Sequence, residues 1–291
     1  MVVLSDDVQY LRCEATPECS RAVHIKEVES GLYKAADLTL AITRDDAAAF
    51  RTLAPAATIA TLPFVLQTGA PHAASTAGNS NLLFVGSYHY ANRLAVRFLV
   101  EEVLPLLRGG ALPRAHLTIV GWTPKELNGI KSAKLSSSEF ERLIKTAVTV
   151  KGVVGNLTPL IRNASVMVAP TMIKQSTGIS TKVFMGLQHG MQTVTTPAGK
   201  HGLDCTAELV YPDPRSCPQL HVAEPEAAPF AQAVAKAASQ EMKLITTPLQ
   251  LTKHAVRAER LNHRAHSKGA EIAQGLLISR LFDPCLRSGF M

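Results

Sequence analysis

From residue 81 onward, short apolar runs alternate with longer stretches in which apolar residues recur every three or four positions. The runs NLLFVG (81–86), AHLTIVG (115–121), VTVKG (148–152), SVMVAP (165–170) and MQTVTTP (191–197) predict five strands. Between them, 92–107 puts Leu94, Phe98, Val103 and Leu107 near one helical face, 136–147 is a serine-capped helix, and 156–164 is a short helix. The stretch STGISTKVFMGLQHG (176–190) reads as a glycine turn feeding an amphipathic helix, and 224–240 predicts another. Strands of near-continuous apolar character separated by helices require a parallel sheet covered on both faces. Gly86, Gly121 and Gly152 stand where the first three strands end. In a doubly wound sheet that is the ligand-binding edge, where a bare backbone allows close approach.

Residues 1–64 carry a smaller version of the same alternation. A helix over 18–36, a strand at 37–43, a helix over 44–54 and a strand at 58–64 are expected. Two or three strands are too few to build a sheet buried on both faces. This half therefore calls for further strands, from missing upstream residues or from a partner chain. The expected organisation is a partial N-terminal segment (1–66), a linker rich in small and polar residues (67–80), a complete sheet domain (81–245) and C-terminal helices (246–291).

Composition narrows the class. With 46% hydrophobic and 18% charged residues, the 291-residue chain is an ordinary globular sequence. Its longest apolar runs fall far short of the ~20 residues a bilayer-spanning helix needs. The start, MVVLSDDVQYLR, lacks the basic and apolar regions of a signal peptide, so a cytoplasmic location is expected. Five cysteines, an odd number without a C-x-x-C, point to neither a zinc site nor a disulfide framework, and to a reducing compartment. The net charge of +7 suits a phosphate-bearing ligand, nucleic acid or an acidic membrane alike. The basic stretch 252–268 contains no aromatic residue, which argues for a solvated or docking helix face and against nucleic acid.

The chemistry concentrates at 176–182. If Ser176-Thr177-Gly178 opens the helix, its first amides lack internal acceptors and the helix dipole places partial positive charge there. Gly178 bares those amides, hydroxyls of Ser176, Thr177 and Ser180 add donors, and Lys182 adds a full charge. That is a phosphate seat. The same residues equally describe a hydroxyl-capped helix with a solvated lysine, and no Walker A or dinucleotide fingerprint decides between them.

The order of motifs does decide. LLFVGSYHYANRLAVRFLVEEVLPLL, AHLTIVGWTP, VTVKGVVGNLTPLIRNASVMVAP, STGISTKVFMGLQHG and TVTTPAGKHGL follow one another in a way that resembles the C-terminal domain of GT-B glycosyltransferases. The likeness is to the family 4-like, retaining group and runs over about 81–240. KEVESGLYKAADLTLAITRDDAAAF resembles the end of that family's N-terminal domain. The resemblance implies an α/β, GT-B-like fold: one complete Rossmann-like doubly wound parallel sheet domain plus a partial second one. It further implies a UDP- or GDP-sugar as donor substrate, an unspecified acceptor, and no metal or other cofactor. Gly86, Ser87, Thr177, Gly178, Ile179 and Lys182 would hold the donor diphosphate, while Gly152, Val153, Val154 and Met185 would lie near the base and ribose.

Departures from the family pattern accompany the likeness. The family commonly carries a glutamate at each end of a nine-residue span where this chain has Thr177 and Met185. A methionine cannot accept two hydrogen bonds from a ribose diol, a loss of roughly 1.5–3 kcal/mol, so Met185 is expected to pack in a core. These changes, with the partial first half, open the alternative of a non-catalytic glycosyltransferase-like module. Asp6-Asp7 is expected to be an exposed turn, His189 to end a helix, and Trp122 to pack beside a strand end. His263 and His266 carry no expected metal role, and the sequons at 156–158 and 163–165 carry no expected glycan.

Overall fold

A computed structural model of the chain describes residues 1–62, 80–130, 132–174, 176–203 and 219–240. Residues 1–61 form β1 (Val2–Ser5), α1 (Gln9–Glu14), α2 (Ala22–Ala35), β2 (Leu38–Ala41), α3 (Arg44–Leu53) and β3 (Ile59–Thr61). The strands pair in parallel in the order β1-β2-β3, with Val2 opposite Leu38 and Thr39 opposite Ile59. β1 adds a third strand to the two the sequence assigns. Val3, Tyr10, Tyr33 and Phe50 form the core of this half, and the rings of Tyr33 and Phe50 lie 4.5 Å apart.

Helix α1 is capped from a distance. Its N-cap residue Val8 offers no side-chain oxygen, so the Glu29 carboxylate of α2 accepts from the Gln9 and Tyr10 amides at 2.9 and 3.0 Å. The Tyr33 hydroxyl also donates to Glu29, at 3.1 Å. Burial raises the Glu29 pKa against these bonds. Beyond α1 the chain turns tightly, the Cys19 amide donating to the Thr16 carbonyl at 2.9 Å. That turn returns Cys19 to Cys13, with Cα atoms 5.3 Å apart, and the two form a disulfide. The absence of a disulfide, expected from count and spacing, is therefore corrected: a local turn brings together residues that the spacing alone did not pair.

The second sheet is built from β4 (Asn81–Val85), α4 (Tyr90–Phe98), a π-helical segment (Leu99–Val103), α5 (Leu104–Gly109), β5 (His116–Val120), α6 (Pro124–Asn128), α7 (Ser137–Ala147) and β6 (Val148–Lys151). It continues through α8 (Thr158–Asn163), β7 (Val166–Ala169), α9 (Thr181–Gln188), β8 (Gln192–Thr195), α10 (Pro197–Lys200), β9 (Leu220–Val222) and α11 (Ala227–Ser239). The helix expected over 92–107 forms, but widens into π geometry just before Pro105, whose ring would clash with the Glu101 carbonyl in a continuous α-helix. Ser136 caps α7 reciprocally with Glu139.

All six strands run parallel in the order β6-β5-β4-β7-β8-β9. β9 is a sixth strand beyond the five expected. Strands β7 and β8 are buried along their whole length, as a sheet covered on both faces demands. One face packs on the α4–α5 segment and α11, centred on Phe84, Phe98, Trp122 and Phe230. The other packs on α8 and α9 through Leu83, Ile161, Met167 and Leu187.

Candidate functional site

The chain leaves β4 toward β5 on one side and later returns to place β7 on the other. That reversal makes the carboxyl ends of β4 and β7 the switch point of the sheet, where doubly wound sheets bind ligands. The glycines expected there stand in register. The Gly86 amide donates to the Val120 carbonyl at 3.0 Å, and the Gly121 amide to Lys151 and Gly152 at 2.9 and 3.2 Å.

Lys182, in the first turn of α9, reaches this end of β4. Its ammonium donates to Asn92 Oδ1 at 2.9 Å and lies 5.7 Å from the centre of the Phe84 ring. Among the described residues no carboxylate pairs with it. Desolvation lowers its pKa from 10.5 to about 8, so near neutral pH it remains a largely uncompensated cation. Ser87 is exposed and is linked to the ammonium through Asn92. Its carbonyl accepts from Asn92 Nδ2 at 2.8 Å and from the His89 amide at 3.0 Å.

The glycine turn is arranged differently from its sequence reading. Helix α9 begins at Thr181 with Ser180 as N-cap, three residues after Gly178, so residues 176–179 precede the helix and do not open it. Gly178 is buried with φ +65°. A Cβ there would lie 2.5 Å from the Asp6 carbonyl oxygen, so both conformation and contact require glycine. The Gly178 amide donates to Asp46 Oδ1 at 3.2 Å, the Thr177 hydroxyl donates to Asp7 Oδ1, and His201 Nδ1 lies 3.1 Å from the Gly178 carbonyl. Ile179 packs near Gly202.

Two carboxylates from the first half thus meet the turn. Asp46 is 1% exposed and its Oδ2 has no hydrogen-bond partner among the described residues. Burial raises its pKa, with the charge of Asp7 adding to the effect and the bonds from Thr43 and Gly178 opposing it. Asp7 is itself buried, held by Arg12 at 2.9 Å. The exposed turn expected at Asp6-Asp7 is corrected for Asp7, because Thr177 and Arg12 close over it. A crevice of about 350 Å³ borders this contact, walled by Val8, Leu11 and Ala49 and by Asp45, Lys174 and His201.

The remaining expected residues separate. Gly152 is exposed at the end of β6, and Val153 is 95% exposed. Val154 and Met185 meet in one apolar cluster with Val85, which gives Met185 the packing role expected of it. Trp122 is fully buried, edge-on to Tyr88, and His189 ends α9. Asn92, Asp46 and His201 are polar groups of the site that the sequence did not single out, and Asp7 was singled out only as part of an exposed turn. Cys205, Cys217, Cys285, the linker 67–79, the basic stretch 252–268, His263, His266 and the helices expected over 246–291 lie outside the described residues.

A six-stranded parallel sheet of order β6-β5-β4-β7-β8-β9, with the Lys182 ammonium at its switch point, and a three-stranded parallel sheet define a protein of two Rossmann-like sheets, one complete and one partial. The sequence profile of the glycosyl transferases group 1 family matches residues 79–240, more than half of the chain, and the chain belongs to that family. Among solved structures it is similar to sucrose-phosphate synthase from Thermosynechococcus elongatus (TM-score 0.57, 15% identity, covering 92% of this chain and 68% of that one). It is also similar to Anabaena HepE, crystallised with UDP and glucose (TM-score 0.55, 13% identity, 91% and 71%). WaaG, a glycosyltransferase of lipopolysaccharide biosynthesis, matches with TM-score 0.51 and 15% identity over 93% and 71%. The chain spans 45% of the length of a further match, TarM. At these identities the likeness carries the GT-B fold. A search of curated protein sequences gives no match. Among the described residues, no helix is long and apolar enough to cross a membrane.

Proposed function

We propose that the chain acts in a glycosyltransferase that moves a sugar from a UDP- or GDP-sugar to an acceptor, with retention at the anomeric carbon. The observation that carries this reading is the Lys182 ammonium, bound at the switch point to Asn92, which also holds the Gly86–Ser87 turn, with no carboxylate partner among the described residues. As the bond to the sugar breaks, negative charge grows on the departing diphosphate. A fixed cation and the first amides of α9, at Thr181 and Lys182, stabilise that charge without metal or cofactor. Ser87 adds a hydroxyl, and Gly152, Val153 and Val154 flank the base. Thr177 to Ile179 join this seat once Asp46 gives up the Gly178 amide. Further strands beside the three-stranded sheet, from upstream residues or a partner chain, furnish the rest of the acceptor side. HepE, crystallised with UDP and glucose, supports a nucleotide-sugar as donor.

Thermal-shift titration of the full chain with UDP, GDP and ADP tests this reading. A ligand at a hundred times its Kd stabilises the fold by about 2.7 kcal/mol, and at the same concentration the shift should be much smaller in Lys182→Met. A flat response to all three nucleotides overturns it. A second reading, a non-catalytic module, is favoured by Met185 in an apolar cluster and by Asp46 on the Gly178 amide. It predicts UDP binding without release of UDP from a bound UDP-sugar.

A further inference from the structure

Asn92 sits in the first turn of α4 and is 3% exposed. Asparagine is a mediocre helix former, and a buried amide must find partners for both ends. Here the partners come from two separate parts of the site. Nδ2 donates to the Ser87 carbonyl at 2.8 Å, and Oδ1 accepts from the Lys182 ammonium at 2.9 Å. A carbonyl can only accept and an ammonium can only donate, so the amide has one satisfactory orientation. The same amide presses on the turn before it: a Cβ on Gly86 would lie 2.5 Å from Nδ2. Gly86 therefore has to be bare for Asn92 to span from turn to lysine.

The partner's charge matters as much as its position. An aspartate at 92 would hold Lys182 equally well, but its negative charge would cancel the ammonium and repel an anion. A neutral amide fixes the ammonium and leaves its charge available. Apart from Asn92 of α4, the contact recorded for the ammonium is the Phe84 ring of β4, which supplies no negative charge either.

We infer that Asn92 is a positioning residue of the donor site, orienting the Lys182 ammonium and the Gly86–Ser87 turn toward a nucleoside diphosphate while keeping that ammonium uncompensated. This inference rests on the donor reading above. The near-isosteric Asn92→Asp tests it, with Asn92→Ala as a second variant, each checked for folding by circular dichroism and titrated with UDP calorimetrically. Asn92→Asp should weaken UDP about tenfold or more at pH 7, the effect of neutralising one charged contact. It should also move the alkaline fall in affinity to higher pH, because the new carboxylate holds the lysine proton. In a Lys182→Met background the neutral Asn92→Ala should have little further effect, since the two residues act as one unit. A residue that only props up the helix would leave the pH profile unmoved. Unaltered UDP affinity and pH profile in Asn92→Asp, or equal losses in Asn92→Ala with and without Lys182, overturn the inference while the donor reading stands. If the unaltered chain binds no UDP, the donor reading itself falls.

Discussion

At residue 182 a lysine sits where burial makes its charge costly. Its pKa falls from 10.5 to about 8 through desolvation, so between those values the unfolded chain binds more protons than the folded one. Stability attributable to this group therefore rises as pH increases from 8 to 10.5. Urea denaturation across that window should show the rise in the unaltered chain and lose it in Lys182→Met. Binding of an anion runs the other way. Affinity for UDP should be flat below pH 8 and fall as the free lysine loses its proton above it, and calorimetry at several pH values reads the slope. Lys182 was legible in the sequence because a cation near a helix start has a local meaning. Asn92 was not: its partner lies 90 residues away, and nothing in ANRLAV marks an asparagine as bridging a turn to a lysine.

Among the elements, helices were legible where their caps are local. Ser136 with Glu139, and Thr43 accepting from the Asp46 amide, are caps that the sequence displays. The start of α9 was not legible, because 176, 177, 180 and 181 all carry cap-competent hydroxyls. The choice is made by Asp7 and Asp46, which take the Thr177 hydroxyl and the Gly178 amide from 170 and 132 residues away. Gly178→Ala tests the turn: a left-handed φ and the collision with the Asp6 carbonyl should destabilise the protein by roughly 1–3 kcal/mol or more, read as a lower midpoint in urea. The cap on α1 was equally hidden, since Glu29 belongs to another helix. Glu29→Ala leaves two amides and a tyrosine hydroxyl without their acceptor, and should cost about 2–3 kcal/mol, with loss of helix signal in circular dichroism.

For the molecule as a whole, the parallel character of the larger sheet follows from apolar patterning, but its strand order, the short strands β1 and β9 and the link between the two sheets do not. The first half has a small core around Tyr33 and Phe50, and three strands make a sheet of marginal independent stability. It is tied to the second half through Thr177 to Asp7 and Gly178 to Asp46, with His201 bracketing the same turn. Hydrogen bonds to charged groups of this kind are each worth about 1.5–3 kcal/mol, enough to make the smaller half unfold with the larger. The chain's single tryptophan, Trp122, lies in the core of the second half, so its fluorescence follows that half alone while circular dichroism follows both. In the unaltered chain the two signals should change together on urea denaturation, as one cooperative transition. In the double variant Thr177→Val, Asp46→Ala the dichroism should begin to fall at lower urea than the fluorescence, because the three-stranded sheet loses its ties and opens first. Coincident curves in that variant would show that the halves are held together by contacts other than the turn at 177–178.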